Sequence, residues 1–246
     1  AELGMQCREQ LVGKIQYGRE VWLRLCEFVS SDDELPVIKT KGIWTAKKLY
    51  FFCQYLDQVA RAMHSHPSYP QGLTYVNLFA GNGIAVVDDE RTGATRRFPG
   101  SGLIAGGTTH PYHRLILVDS VRENLDALRL RLERLGFDGI VDAKPGDTNK
   151  LADEIAGSLP KGALNVAVVD PFSLDIHYDT IAKIAEFRPL DLLILFSDCI
   201  DLVRNVERVY YPGQSDKLDL FLGADSGWRD DWDSLAHRTG PAVREM

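Results

Sequence analysis

Five apolar runs recur along the middle of this 246-residue chain: Leu73 to Phe79, Leu115 to Val118, Gly139 to Ala143, Leu164 to Val169 and Asp191 to Phe196, with helical patterns between them. Runs that are apolar on both faces suit parallel strands covered by helices on each side. The pattern predicts an α/β fold, a Rossmann-like doubly wound and mostly parallel sheet. From Trp44, the residues Leu49, Phe52, Leu56, Val59 and Met63 recur at three- and four-residue steps and mark a helix ending near His66-Pro67. A second begins at Ser120, a cap to which Glu123 can reach back, carries Val121, Leu125, Leu128, Leu132 and Leu135 on one stripe, and stops at Gly136. Weaker amphipathic patterns cover Thr148 to Leu159, Tyr178 to Phe187 and Cys199 to Tyr210.

A helix over Arg19 to Val29 and an acidic break at Ser30 to Pro36 make residues 1–43 a helical N-terminal appendage. Residues 44–212 form the main domain, and residues 213–246, rich in Asp, Gly and Trp, read as loop and short helix. A net charge of -7 argues against a sequence-independent nucleic-acid coat, which works by neutralising phosphates. Lys39, Lys41, Lys47, Lys48, Arg96 and Arg97 are either a local phosphate track or solvated surface. No run reaches the roughly 18 apolar residues of a membrane span, and no export signal opens the sequence, so a soluble cytoplasmic protein is expected. Cys7, Cys26, Cys53 and Cys199 form no C-x-x-C pair and are read as reduced thiols. His64 and His66 lack a third ligand at metal spacing, and no metal is expected.

In such sheets ligands bind beyond the carboxyl ends of the strands. The first strand runs into Ala80-Gly81-Asn82-Gly83, where backbone N–H groups can approach a small charged ligand without Cβ interference. The later strands lead to Asp119, Gly146-Asp147, Asp170-Pro171 and Ser197-Asp198. Asp119 can accept bonds from both hydroxyls of a ribose, or it merely starts the turn. Asp147 can accept from an adenine amino group, or serve as a cap. Asp119 lies 36 residues beyond Gly83, against about 20 in dinucleotide-binding units. Ile84 to Phe98 reads as an inserted hairpin, and without those 15 residues the spacing is 21. The helix would then start after Pro99-Gly100-Ser101, which disfavours a pyrophosphate seated directly after the glycines, and with it an NAD-linked oxidoreductase. A cofactor without phosphates, S-adenosylmethionine (SAM), fits better.

Taken in order, Trp44-x-x-Lys47, Asn77-Leu78-Phe79-Ala80-Gly81-Asn82-Gly83, Gly100-Ser101, Gly146-Asp147, Asp170-Pro171-Phe172 and Asp191-Leu192-Leu193-Ile194 followed by Arg204 make the stretch from Trp44 to Arg204 resemble the three-Cys-motif partner proteins, a bacterial group. The resemblance implies a class I methyltransferase type of Rossmann-like domain that binds SAM and works with a three-cysteine-motif protein. The implied cofactor residues are Asn77, Phe79, Ala80, Gly81, Gly83, Ser101, Asp119, Ser120, Asp147 and Asp170. Asp170-Pro171-Phe172 also looks like a shortened Asp-Pro-Pro-aromatic motif of amino-group methyltransferases, although it equally suits an ordinary strand exit. In the first case the carboxylate and the Pro171 carbonyl hold an exocyclic amine and Phe172 stacks on its base, so these three are the catalytic candidates. The expected function is SAM-dependent methyl transfer to an exocyclic amine of a nucleic-acid base; the alternative is a non-catalytic SAM-binding or partner-binding module. Methyltransferase sheets finish with two further strands, and no apolar run follows Phe196, so C-terminal strands are expected to be missing and the chain to be a fragment.

Overall fold

The structure, a computed structural model, describes residues 18–41, 43–89, 93–186, 189–196 and 201–239. Every apolar run becomes a strand of one all-parallel sheet: β2 (Leu73–Asn77), β5 (Arg114–Asp119), β6 (Ile140–Pro145), β7 (Leu164–Val169) and β8 (Leu190–Ile194). Their spatial order is β6-β5-β2-β7-β8. Val76 of β2 lies opposite Ile116 of β5 and Ala167 of β7, so β2 is central. The chain winds outward from β2 to β6, then crosses back to β7 and β8. That reversal leaves a crevice beyond the carboxyl end of β2, where open α/β sheets bind ligands.

Both faces of the sheet are apolar because successive side chains point to opposite sides. Tyr75, Leu115, Leu117, Val166 and Val168 face one core with α1 (residues 18–28), α2 (Trp44–Met63), α3 (Ser101–Gly106) and α4 (Arg122–Leu135). Val76, Ile116, Val118, Ala167 and Val169 face the other with α5 (Ala152–Ser158) and α6 (Tyr178–Ala185). The fold is therefore α/β and Rossmann-like. Of the segment 1–43, the described part does not stand apart from this body: Val21, Leu25 and Val29 are buried in the first core. Residues 38–41 form a strand, β1 (Ile38–Lys41), whose Lys-Thr-Lys sequence gave no apolar signal.

β1 runs parallel to β3 (Ile84–Asp89), which pairs antiparallel with β4 (Ala94–Pro99). This small sheet contains the inserted hairpin, whose Glu90 to Thr92 turn lies outside the described residues. Gly100 donates its N–H to the Gly83 carbonyl at 2.7 Å, closing the excursion. The start of α3 is thus displaced from the glycine turn in sequence but not in space, which removes the spacing objection to a dinucleotide.

Some helix starts differ from expectation. Ser120 does not cap α4, which begins at Arg122 with Val121 before it and no side-chain cap; the Asp119 carboxylate instead takes the Val121 N–H at 2.9 Å. α5 begins at Ala152 rather than Thr148 because the Thr148 hydroxyl donates to the Leu78 carbonyl and ties this loop to the end of β2. Ser197, Asp198 and Cys199 lie outside the described residues. Beyond β8, α7 (Val203–Asn205) continues as a π-helical turn, Val206–Tyr210, followed by α8 (Lys217–Leu222) and α9 (Trp228–Thr239). None of the described helices is long and apolar enough to cross a membrane.

Candidate functional site

A cavity of about 740 Å³ opens beyond the carboxyl ends of β6, β5, β2 and β7. This is within the usual size of small-molecule sites. Nine of the ten cofactor candidates line it: Phe79, Ala80, Gly81, Gly83, Ser101, Asp119, Ser120, Asp147 and Asp170, together with Pro171 and Phe172. Asn77 stands just behind. Its amide donates to the Ser101 hydroxyl at 2.8 Å and its oxygen accepts the Phe79 N–H at 3.2 Å, so it holds the wall rather than forming it.

The glycine turn is built by its own backbone demands. Gly81 and Gly83 sit at φ 60° and 90°, a region that costs non-glycine residues roughly 1–2 kcal/mol. A Cβ on Gly81 would also meet Ile38 of β1 at 2.8 Å, so the small sheet packs directly on the turn. Between the glycines, the Asn82 side chain accepts the Ile84 N–H at 3.1 Å, and its carbonyl accepts from Arg131 at 2.6 Å.

Asp119 is already partly engaged. Oδ1 accepts the Val121 N–H and the Asn124 amide at 3.0 Å, while Oδ2 accepts the Gly81 N–H at 2.8 Å. A carboxylate offers about four acceptor positions, so Oδ2 keeps one for a ligand hydroxyl. Asp119 thus ties the glycine turn to the start of α4 and also faces the cavity. Asp147 likewise accepts the Asn149 N–H at 2.9 Å and remains exposed at the cavity wall.

The Asp170 carboxylate is gripped by Lys48 of α2, with Nζ at 2.9 Å from Oδ1 and 2.6 Å from Oδ2. Lys48 thus joins the site, whereas Arg97 turns away to the Val29 carbonyl and Asp33 and belongs to the scaffold. Below the ion pair lies Tyr75, fully buried, whose hydroxyl has no hydrogen-bond partner among the described residues although Ser101 and Asn77 lie beside it. Burial first, and the Asp170 charge nearby, push the Tyr75 phenol far above its ordinary range, so it stays a neutral donor.

Phe172 projects at the lip with 75% of its surface exposed. It also borders a second, open cavity of about 410 Å³ shared with Ser173, Asp201, Tyr210 and Lys217. Asp201 is buried there and accepts from the Ser173 and Tyr210 hydroxyls, the Asn205 amide at 2.7 Å and the Leu174 N–H at 3.3 Å. Burial alone would raise its pKa, but these donors outweigh it and hold the carboxyl at about 2. Its role is to fasten the loop after Asp170 to the π-helical turn, a wound form that often marks functional sites.

Three lining residues, Asn124, Lys217 and Leu220, gave no sequence signal as site residues, because the last two come from a helix distant along the chain and Asn124 lies among polar surface residues of α4. Cys53 is buried and its thiol is pushed up to about 12, chiefly by desolvation, so it is unsuited to be a nucleophile. His64 stacks between His110 and His113, with ring centroids 4.9 and 5.4 Å away, near the amino end of β5. No group among the described residues has the arrangement of a metal site. No protein-family model and no curated protein matches the chain.

Proposed function

We propose that this protein binds SAM and transfers its methyl group to an exocyclic amine of a nucleic-acid base. The observation that carries the reading is the single cavity joining the glycine turn to three acids, Asp147, Asp119 and Asp170, placed in spatial order at the ends of β6, β5 and β7. The donor set suits a nucleoside with an uncharged linkage better than a pyrophosphate. It offers acceptors for an adenine amine and a sugar hydroxyl, and both lysines of its wall are already paired, Lys48 with Asp170 and Lys217 with Asp175. SAM supplies an electrophilic methyl on a sulfonium.

The protein's own contribution is orientation. Asp119 Oδ2 holds the sugar, the glycine turn borders the amino-acid end, and the Pro171 carbonyl with one oxygen of Asp170 accepts from the incoming amine so that its lone pair faces inward. Phe172, exposed at the lip, offers a ring on which an unstacked base can lie. Calorimetric titration of SAM and S-adenosylhomocysteine (SAH) is expected to saturate, with NADH silent. Asp119→Asn, which keeps size but loses a charged acceptor, is expected to weaken SAH about 10- to 100-fold, the worth of one charged hydrogen bond. Tight NADH binding with no response to SAH would overturn the reading.

A second reading is favoured by the Lys48–Asp170 pair, in which the ammonium stands against both oxygens that would receive an acceptor amine. On that reading the domain is a SAM-binding module that works beside a three-cysteine-motif protein without turnover. Transfer of a labelled methyl group to DNA or RNA by the purified chain alone would exclude it.

A further inference from the structure

We propose that Lys48 and Asp170 form a two-charge clamp for the zwitterionic α-amino-acid end of the ligand, Lys48 taking its carboxylate and one oxygen of Asp170 its ammonium, while the other oxygen stays with the acceptor amine. The inference rests on the nucleoside reading of the same cavity and assigns its other end. Neighbouring parallel strands lie about 4.8 Å apart, so Asp119 at the end of β5 and Asp170 at the end of β7 stand roughly 10 Å apart across β2. A ligand held by its sugar at Asp119 must therefore present something to Lys48 and Asp170.

The charges decide what that is. Lys48 and Asp170 are only 18% and 13% exposed. Drawing off one partner of a sheltered ion pair leaves the other uncompensated, which is strongly unfavourable. A singly charged ligand does that, and a neutral one leaves the pair intact and gains nothing from it. A zwitterion exchanges one internal pair for two external ones and leaves no charge unmatched. The site thereby discriminates by what it would strand as much as by what it attracts.

The floor agrees with a polar terminus. Ser101 lines the cavity beneath α2 while its oxygen takes the Asn77 amide, which leaves the hydroxyl hydrogen free to donate. Behind it lies the fully buried Tyr75, whose hydroxyl stands beside Ser101 and Asn77 and backs the wall without lining it. The Ser101 hydroxyl therefore stands as a donor in the wall that a carboxylate carried by Lys48 would meet.

The test is calorimetry on the whole chain with three ligands: SAH, 5′-methylthioadenosine, which lacks the amino-acid end, and decarboxylated SAH, which keeps only the ammonium. Wild-type protein is expected to bind SAH about 100-fold tighter than methylthioadenosine, and decarboxylated SAH no tighter than methylthioadenosine. Lys48→Met and Asp170→Asn should each cost SAH about 10- to 100-fold and change methylthioadenosine less than about threefold, a size set by single charged hydrogen bonds. The unchanged methylthioadenosine affinity also shows that the variants are folded, and the wild-type comparison needs no variant. Equal affinity of the wild type for SAH and methylthioadenosine overturns the clamp while leaving the nucleoside reading standing. Equal losses for both ligands in Lys48→Met also overturn it, making the pair structural. Silence from all three ligands overturns the nucleoside reading and the clamp together.

Discussion

Arg131 sits beneath the glycine turn with 1% of its surface exposed, and each edge of its guanidinium is used. It forks onto Asp33 at 2.7 and 2.8 Å and donates to the carbonyls of Pro36 at 2.8 Å and Asn82 at 2.6 Å. It thus fastens the loop after α1 to the floor of the site. Arg131→Met removes the cation and strands those acceptors, and a loss of about 3–5 kcal/mol in urea unfolding is expected, the range for breaking a buried ion pair. The Arg131 hydrogen bonds first, and its charge with that of Arg97, hold the Asp33 carboxyl at about 2 against an ordinary 3.8, despite some desolvation. The unfolded chain binds the proton more readily in that window, so this stabilisation is complete above pH 4 and lost as the pH falls from 3.8 toward 2. Unfolding midpoints between pH 5 and 2 should fall less steeply for Asp33→Asn than for wild type. Asp119, Asp147 and Asp170 were legible as cavity-wall residues because each stands at, or within two residues of, the end of a strand, where position alone implies a crevice. Arg131 was not, because its partners lie far along the chain and its own helix reads as amphipathic surface at that point.

At the level of elements, the hairpin was readable from its turn residues and alternating apolar positions, and so was the delayed start of α3. What sequence spacing could not give was closure: Gly100 comes back against Gly83 so closely that a Cβ would meet its carbonyl carbon at 3.0 Å and its Cα and oxygen at 3.1 Å. The obstacle is backbone, which cannot swing aside as a side chain can. Gly100→Ala is expected to destabilise by about 1–3 kcal/mol, as overpacking does, and to weaken SAH binding because the turn at Gly81 to Gly83 must shift. Gly157→Ala is the matched control. It lies within α5 with nothing within 4 Å of an added Cβ, and should be neutral or stabilise by up to about 1 kcal/mol. Urea midpoints and an SAH titration on both variants separate the two effects; equal behaviour would show that the close approach at Gly100 carries no strain.

On the scale of the whole molecule, both edges of the sheet expose apolar residues: Ile140 of β6 is 55% exposed, Ile194 of β8 is 44% exposed, and Phe196 just beyond β8 is 42% exposed. Apolar edge strands are hazards that proteins commonly blunt with charge, proline or a covering segment. Among the described residues β8 pairs with β7 alone. Pro189 accepts from Asn165 and Leu195 donates to Val169, so odd-numbered residues of this strand direct their backbone groups at β7. The N–H groups of Leu192 and Ile194 consequently point outward from the sheet, by the alternation of a parallel ladder. In native-state hydrogen exchange the Leu193 amide should be protected and the Leu192 and Ile194 amides should exchange orders of magnitude faster, while central β2 approaches the protection of global unfolding. Equal protection of Leu192, Leu193 and Ile194 would mean that the outer side of β8 is hydrogen-bonded in solution. The sheet would then continue past its fifth strand, and its edge at Ile194 would be covered by whatever continues it.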